Sequence, residues 1–141
     1  MNLARPINSS LSYSAETKGI IVDVRAFFLD TESTPEESIY VWGYSVKITN
    51  NSKQPIQLTD RYWHITDAHG NVQEVRGEGV VGEQPHIDCE ETYEYTSGAP
   101  LATPSGIMRG HYIVQDSLGR DIIVEIPTFS LDSPYENQTL N

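Results

Sequence analysis

Residues 77–82 read Gly77-Glu78-Gly79-Val80-Val81-Gly82, a literal G-x-G-x-x-G. Glycines at this spacing let backbone N–H groups approach a pyrophosphate, because no Cβ blocks the way. A dinucleotide cradle also needs a helix after the third glycine, whose aligned dipole favours an anion. Here Gln84-Pro85-His86 follows with no amphipathic stripe, and residues 77–94 hold six carboxylates without a Lys or Arg. Arg76 is the one cation beside the motif. Charge and context therefore argue against a nucleotide and no cofactor is expected. A ligand- or partner-binding loop built from Arg76, Gly77, Gly79, Gly82 and Glu83 remains in view.

The other reactive residue types form no catalytic pattern. His64, His69, His86 and His111 show neither H-x-H nor H-x-x-x-H spacing, so no transition-metal site is written in them. Cys89, the single cysteine, is flanked by Asp88, Glu90 and Glu91. Those charges raise a thiol pKa where a nucleophile needs it lowered. Carboxylates are abundant, but no D-x-[DN]-x-[DN]-G calcium loop occurs. Glu78, His86 and Asp88 are the weak candidates for a metal. A divalent cation could also be held between the two acidic loops, 30–38 and 77–94, were they to meet at one end of the molecule. The expectation is a protein that is not an enzyme.

The chain that must position these residues has 141 residues, 38% of them hydrophobic, and a net charge of −11. Such a length holds one domain of ordinary size, with core enough to fold without disulfides. The acidity disfavours nucleic acid and anionic membranes as partners. No apolar run approaches the ~18–20 residues of a membrane span, and a cytoplasmic location is expected.

Periodicity of two dominates. Tyr40, Trp42, Tyr44, Val46 and Ile48 alternate with Val41, Gly43, Ser45, Lys47 and Thr49, which predicts a half-buried strand. Further strands are expected over 20–29, 56–66, 72–76, 92–97, 107–115 and 120–126. In the 56–66 run the phase slips between Leu58 and Trp63, which predicts a bulge near Asp60–Arg61. Asp67-Ala68-His69-Gly70 and Asp116-Ser117-Leu118-Gly119 have turn chemistry. No stretch carries a helical stripe. The fold class is thus all-β, an immunoglobulin-like or fibronectin type III-like β-sandwich of about seven antiparallel strands. Residues 1–16 are expected to be a flexible N-terminal segment, 17–131 the sandwich domain and 132–141 a flexible polar tail. Tyr40, Tyr93, Tyr95 and Tyr112 could form a surface patch, and an open sheet edge would permit a homodimer.

Several long segments carry a resemblance. Trp63-His64-Ile65-Thr66-Asp67-Ala68-His69-Gly70, the run Glu74 to Pro85, Tyr93 to Gly98, Leu101 to Tyr112 and Ile126 to Leu131 follow one another in order. Together they resemble the ApaG family over roughly residues 17–131. The resemblance implies a fibronectin type III-like sandwich and a bacterial stand-alone protein. It also implies an interaction module, because similar domains occur in F-box only protein 3 and polymerase delta-interacting protein 2. It brings an association with cobalt and magnesium resistance and a suggested pyrophosphate role for the glycine motif. The chain departs from the family at Ile87-Asp88-Cys89-Glu90-Glu91, where a Pro-Gly turn is common. The function expected is a non-enzymatic module that binds a protein. The alternative is a small-ligand binder for phosphate, pyrophosphate or a divalent cation near loop 77–82.

Overall fold

The computed structural model describes residues 11–135. Two antiparallel sheets pack face to face. The first has the order β1-β2-β3-β7, from Ser12–Thr17, Ile20–Phe28, Tyr40–Asn50 and Thr92–Leu101. The second has the order β5-β4-β8-β9, from Val72–Glu78, Ile56–Asp67, Gly106–Gln115 and Asp121–Leu131, with the short β6, His86–Ile87, also paired to β4. The all-β sandwich expected from periodicity is what forms. Among the described residues no helix is long and apolar enough to cross a membrane.

Alternation explains the core. Trp42, Tyr44, Val46 and Ile48 of β3 are buried against Trp63 and Ile65 of β4, Tyr112 and Val114 of β8, and Val124, Ile126 and Phe129 of β9. The Trp63 ring meets Tyr44 edge-on at 5.3 Å and Phe129 at 5.9 Å, the tilted geometry that aromatic quadrupoles favour. The expected bulge is present, slightly earlier than predicted: the β4–β8 register shifts between Leu58 and Asp60. A second irregularity shifts the β8–β9 register between Met108 and Gly110.

Four expectations need correction. Among the described residues nine strands form where about seven were expected; β1 and β6 are the additions. Residues Ser12–Glu16, expected to belong to a flexible segment, lie in β1, where Tyr13, Ala15 and Thr17 turn their half-buried side towards β9. Tyr13 and Ser130 share a hydrogen bond at 3.2 Å, and the Glu125 N–H donates to Thr17 Oγ1 at 3.1 Å. Residues 132–135 of the expected polar tail are packed as well. Trp42 Nε1 donates to the Asp132 carbonyl at 2.7 Å, Ser133 is buried, and Tyr135 meets Phe28 edge-on. Residues 1–10 and 136–141 of those two expected segments lie outside the described residues. Finally, Tyr95 and Tyr112 are buried, so the surface patch of four tyrosines does not form.

Candidate functional site

The glycine motif folds as a tight excursion of the sheet edge opposite the β4 bulge. β5 pairs with β4 in register as far as Asp60↔Glu78, and β6 resumes the pairing at Gln57↔His86. Between them the chain must step around the bulged Thr59. The Thr59 carbonyl accepts the Gly79 N–H at 2.7 Å and Gln84 Nε2 at 2.9 Å. Val80 and Glu83 exchange two backbone hydrogen bonds, at 2.8 and 2.9 Å, which closes the turn. Gly79, Val81 and Gly82 take φ of 64°, 43° and 83°, the left-handed region where glycine is unstrained and valine is not. A Cβ on Gly79 would stand 2.1 Å from the Glu83 carbonyl oxygen. Two glycines of the motif are thus explained by the turn itself.

Both sheets hold this turn. Val80 is fully buried and anchors it in the core. From β4, Arg61 Nη1 donates to the carbonyls of Glu78 at 3.1 Å and Gly79 at 2.8 Å. Its guanidinium fills the space beside Gly77, where an added Cβ would come within 2.8 Å of it. From β7, the Tyr93 hydroxyl donates to Glu83 Oε1 at 2.9 Å. Partial burial, and then the bond to the Glu83 carboxylate, raise the Tyr93 phenol above its ordinary pKa.

The amides of Gly79, Val80 and Glu83 are therefore spent within the protein. The outer surface of the turn presents Glu78, Val81 and Glu83, and Val81 is 56% exposed. Arg76 lies on the same outer face as Glu78, both lining one concavity, but its head group is engaged along the strand. It pairs across the ladder with Tyr62, its guanidinium 4.5 Å from the ring centroid and 3.7 Å from Glu74 Oε2. Tyr62 donates to Glu74 Oε2 at 2.6 Å and stacks on His111 at 5.0 Å. That bond pulls the Glu74 carboxyl below its usual value and raises the Tyr62 phenol. Because neighbouring residues on a strand face opposite ways, Arg76 belongs to the outer face of the sheet and Gly77 to the inner one.

The weak metal candidates are not assembled into a cluster. Among the described residues no three His, Cys, Asp or Glu side chains lie close enough to hold an ion. The two acidic loops sit at opposite ends of the sandwich. Residues 30–38 connect β2 to β3 where Tyr40 pairs with Leu101, whereas 88–91 lies where Thr49 pairs with Thr92. Cys89 is exposed. The departing segment 87–91 closes through Glu91 N–H to the Asp88 carbonyl at 3.0 Å, with Glu90 at φ 70°.

Arg61 and Val81 were not among the residues singled out from the sequence. Arg61 had a signal: after the phase slip it shares the inward parity of Trp63 and Ile65. Its charge is felt by the buried phenols of Tyr44, Tyr95 and Tyr112, where it partly offsets the rise that burial causes. Val81 had none, since its backbone conformation is invisible in sequence.

A family model described as the ApaG domain matches residues 30–116. Protein ApaG of Brucella canis is 56% identical over 129 residues, 92% of this chain and 99% of that protein. Protein ApaG of Mesorhizobium japonicum is 52% identical with the same coverage. The crystal structure of an ApaA protein from Bordetella pertussis superposes with a TM-score of 0.79 at 45% identity, over 82% of this chain and 94% of that one. The domain match and the two ApaG proteins, each sharing more than half of its residues with this chain along nearly its whole length, make this protein a member of the ApaG family.

Proposed function

We propose that this chain is a non-enzymatic binding module that docks a protein partner through the turn 78–83. The observation that carries this reading is Val81: a β-branched, exposed residue held at φ 43° on a turn fixed from both sheets. Backbone strain of this kind costs about 1–3 kcal/mol and persists where the surroundings enforce it, commonly at recognition sites. The turn offers a rigid apolar knob between the carboxylates of Glu78 and Glu83. A complementary partner has an apolar socket with a basic rim. The spent amides and the surrounding carboxylates weigh against phosphate at the same turn. With no clustered ligand set among the described residues, a part in cobalt or magnesium resistance would run through that partner.

A photoreactive aliphatic residue at position 81, which keeps the apolar side chain, tests the reading. It should capture a discrete protein in a bacterial extract, and Glu78→Lys with Glu83→Lys should abolish the capture. Capture that survives the charge reversal, or no capture above that from position 118 in the β8–β9 hairpin, overturns it.

A further inference from the structure

A second concavity lies away from the glycine turn. A groove of about 370 Å³ opens where β1 turns into β2, β3 into β4 and β8 into β9. Its lining includes the side chains of Ile20, Ile56 and Ile122, the first two buried. Lys18, Lys53 and Arg120 also line it, one from each connection. Three of the nine Lys and Arg residues of a chain with net charge −11 meet at this one place.

The three connections are braced against one another. The Asn51 N–H donates to the Gly19 carbonyl at 2.8 Å, and Ser117 Oγ donates to Gln54 Oε1 at 2.7 Å. Asn50, wholly buried, spans the β3–β4 loop: Nδ2 donates to the Gln54 carbonyl at 2.8 Å and Oδ1 accepts the Ser52 N–H at 3.0 Å. The groove is therefore preorganised, and a ligand need not pay to order it.

Of the two carboxylates at the groove, Asp116 is paired with a cation and Asp121 is hydrogen-bonded to a neutral amide. Asp116 accepts the Leu118 and Arg120 amides and bonds Arg120 Nε at 2.8 Å, while Asp121 accepts Gln115 Nε2 at 3.2 Å. Lys18 and Lys53 have no salt bridge among the described residues. Lys18 also sits at φ 51°, followed by Gly19 at φ 85°. Asn or Gly is the low-strain choice for the first position of such a two-residue turn, so turn geometry does not account for a lysine there.

We propose that this groove binds a small organic anion. Its apolar body lies against the half-buried Ile122, over a floor closed by Ile20 and Ile56, and its phosphate, sulfate or carboxylate lies between Lys18 and Lys53. The pairing follows from burial of apolar surface combined with two ammonium groups that form no salt bridge among the described residues and, with Arg120, outnumber the two carboxylates of the groove, and it weakens as salt screens them.

Phenyl phosphate is the probe, added to the 15N-labelled full chain and followed by amide shifts. Saturable movement of Gly19, Ser52, Lys53 and Gln54 is expected, with Gly79 and Gly82 unmoved. Lys18→Glu and Lys53→Glu, made singly, should each weaken binding about tenfold, equivalent to about 1.4 kcal/mol. Inorganic phosphate should bind more weakly for want of an apolar body, and benzylamine should not bind. Absence of saturable shifts at the groove overturns the proposal. So does benzylamine binding as tightly as phenyl phosphate, or an unchanged affinity in charge-reversed variants whose spectra remain native. Shifts at Gly79 and Gly82 instead would overturn it in favour of a ligand at the glycine turn.

Discussion

Arg61 holds Gly79 from beneath: its Nη1 lies 2.8 Å from the Gly79 carbonyl oxygen, across the space that the missing side chain of Gly77 leaves free. The clamp gives the motif's glycines separate roles. At Gly79 an added Cβ meets the Glu83 carbonyl at 2.1 Å and φ is 64°; at Gly82 it meets open space and only φ, 83°, is adverse. Gly79→Ala should therefore cost about 3 kcal/mol, the sum of a left-handed backbone penalty and a steric one, whereas Gly82→Ala should cost about 1 kcal/mol. Urea unfolding of the two variants checks the order. Equal costs would mean that the turn relaxes freely and that Arg61 does not hold it.

The buried pair Tyr95 and Tyr112 gives a second test. Their hydroxyls bond each other between the sheets, and burial raises both phenols, Tyr112 well above its ordinary value. Removing one hydroxyl orphans the other, at about 1–3 kcal/mol for each single Phe variant; removing both orphans neither. The double variant should therefore cost clearly less than the sum of the singles in a denaturant cycle. A raised pKa favours the fold while the phenol stays protonated. The contribution is complete below the unfolded value of about 10 and is lost as pH rises towards the folded value. Above pH 10 or so the double variant should therefore lose less stability than the parent.

Sandwich and strand phases were legible because apolar and polar residues alternate along β3 and β4, and the slip beyond Leu58 even marked the bulge. What the pattern hides is register. Tyr95 alternates with Thr96 as readily on an outer face as on an inner one, and only pairing with β3 turns it inward. β1 was missed because Ser12–Thr17 buries no residue fully and owes its place to β2 and β9. The separation of the two acidic loops was equally hidden. It depends on which end of β3 meets which end of β7, a long-range fact with no local signal. The glycine motif was visible but ambiguous, since a phosphate cradle and a strained turn ask for the same residue at the same spacing.

Asp116 carries a pH dependence of known sign. The Arg120 backbone N–H, supported by the Arg120 side chain and the Leu118 N–H, holds its carboxyl below the usual range against an opposing effect of desolvation. A depressed carboxyl stabilises the fold above its unfolded value of about 3.9, and the contribution disappears as pH falls through the folded value. Asp116→Asn should lower the melting temperature at pH 7, and the deficit should shrink as pH approaches 3. A deficit that stays constant over that range would show that the carboxylate charge is idle and that hairpin geometry alone matters.

Val81 links stability to recognition. At φ 43° its branched side chain is strained, and with 56% exposure it recovers little by packing. Asparagine tolerates the left-handed region far better. Val81→Asn should therefore raise stability by about 1 kcal/mol, or roughly 3–4 °C in melting temperature for a chain of this size. If the valine is kept as the apolar knob that a partner grips, the same change should abolish crosslinking from a photoreactive residue at the exposed position 86, just beyond the turn. Stabilisation with crosslinking intact would reduce Val81 to an uncompensated strain, and the partner's contact would then have to lie on another face of the sandwich. Stabilisation accompanied by loss of crosslinking is the result that a binding turn requires, because only function would retain a residue that the fold disfavours.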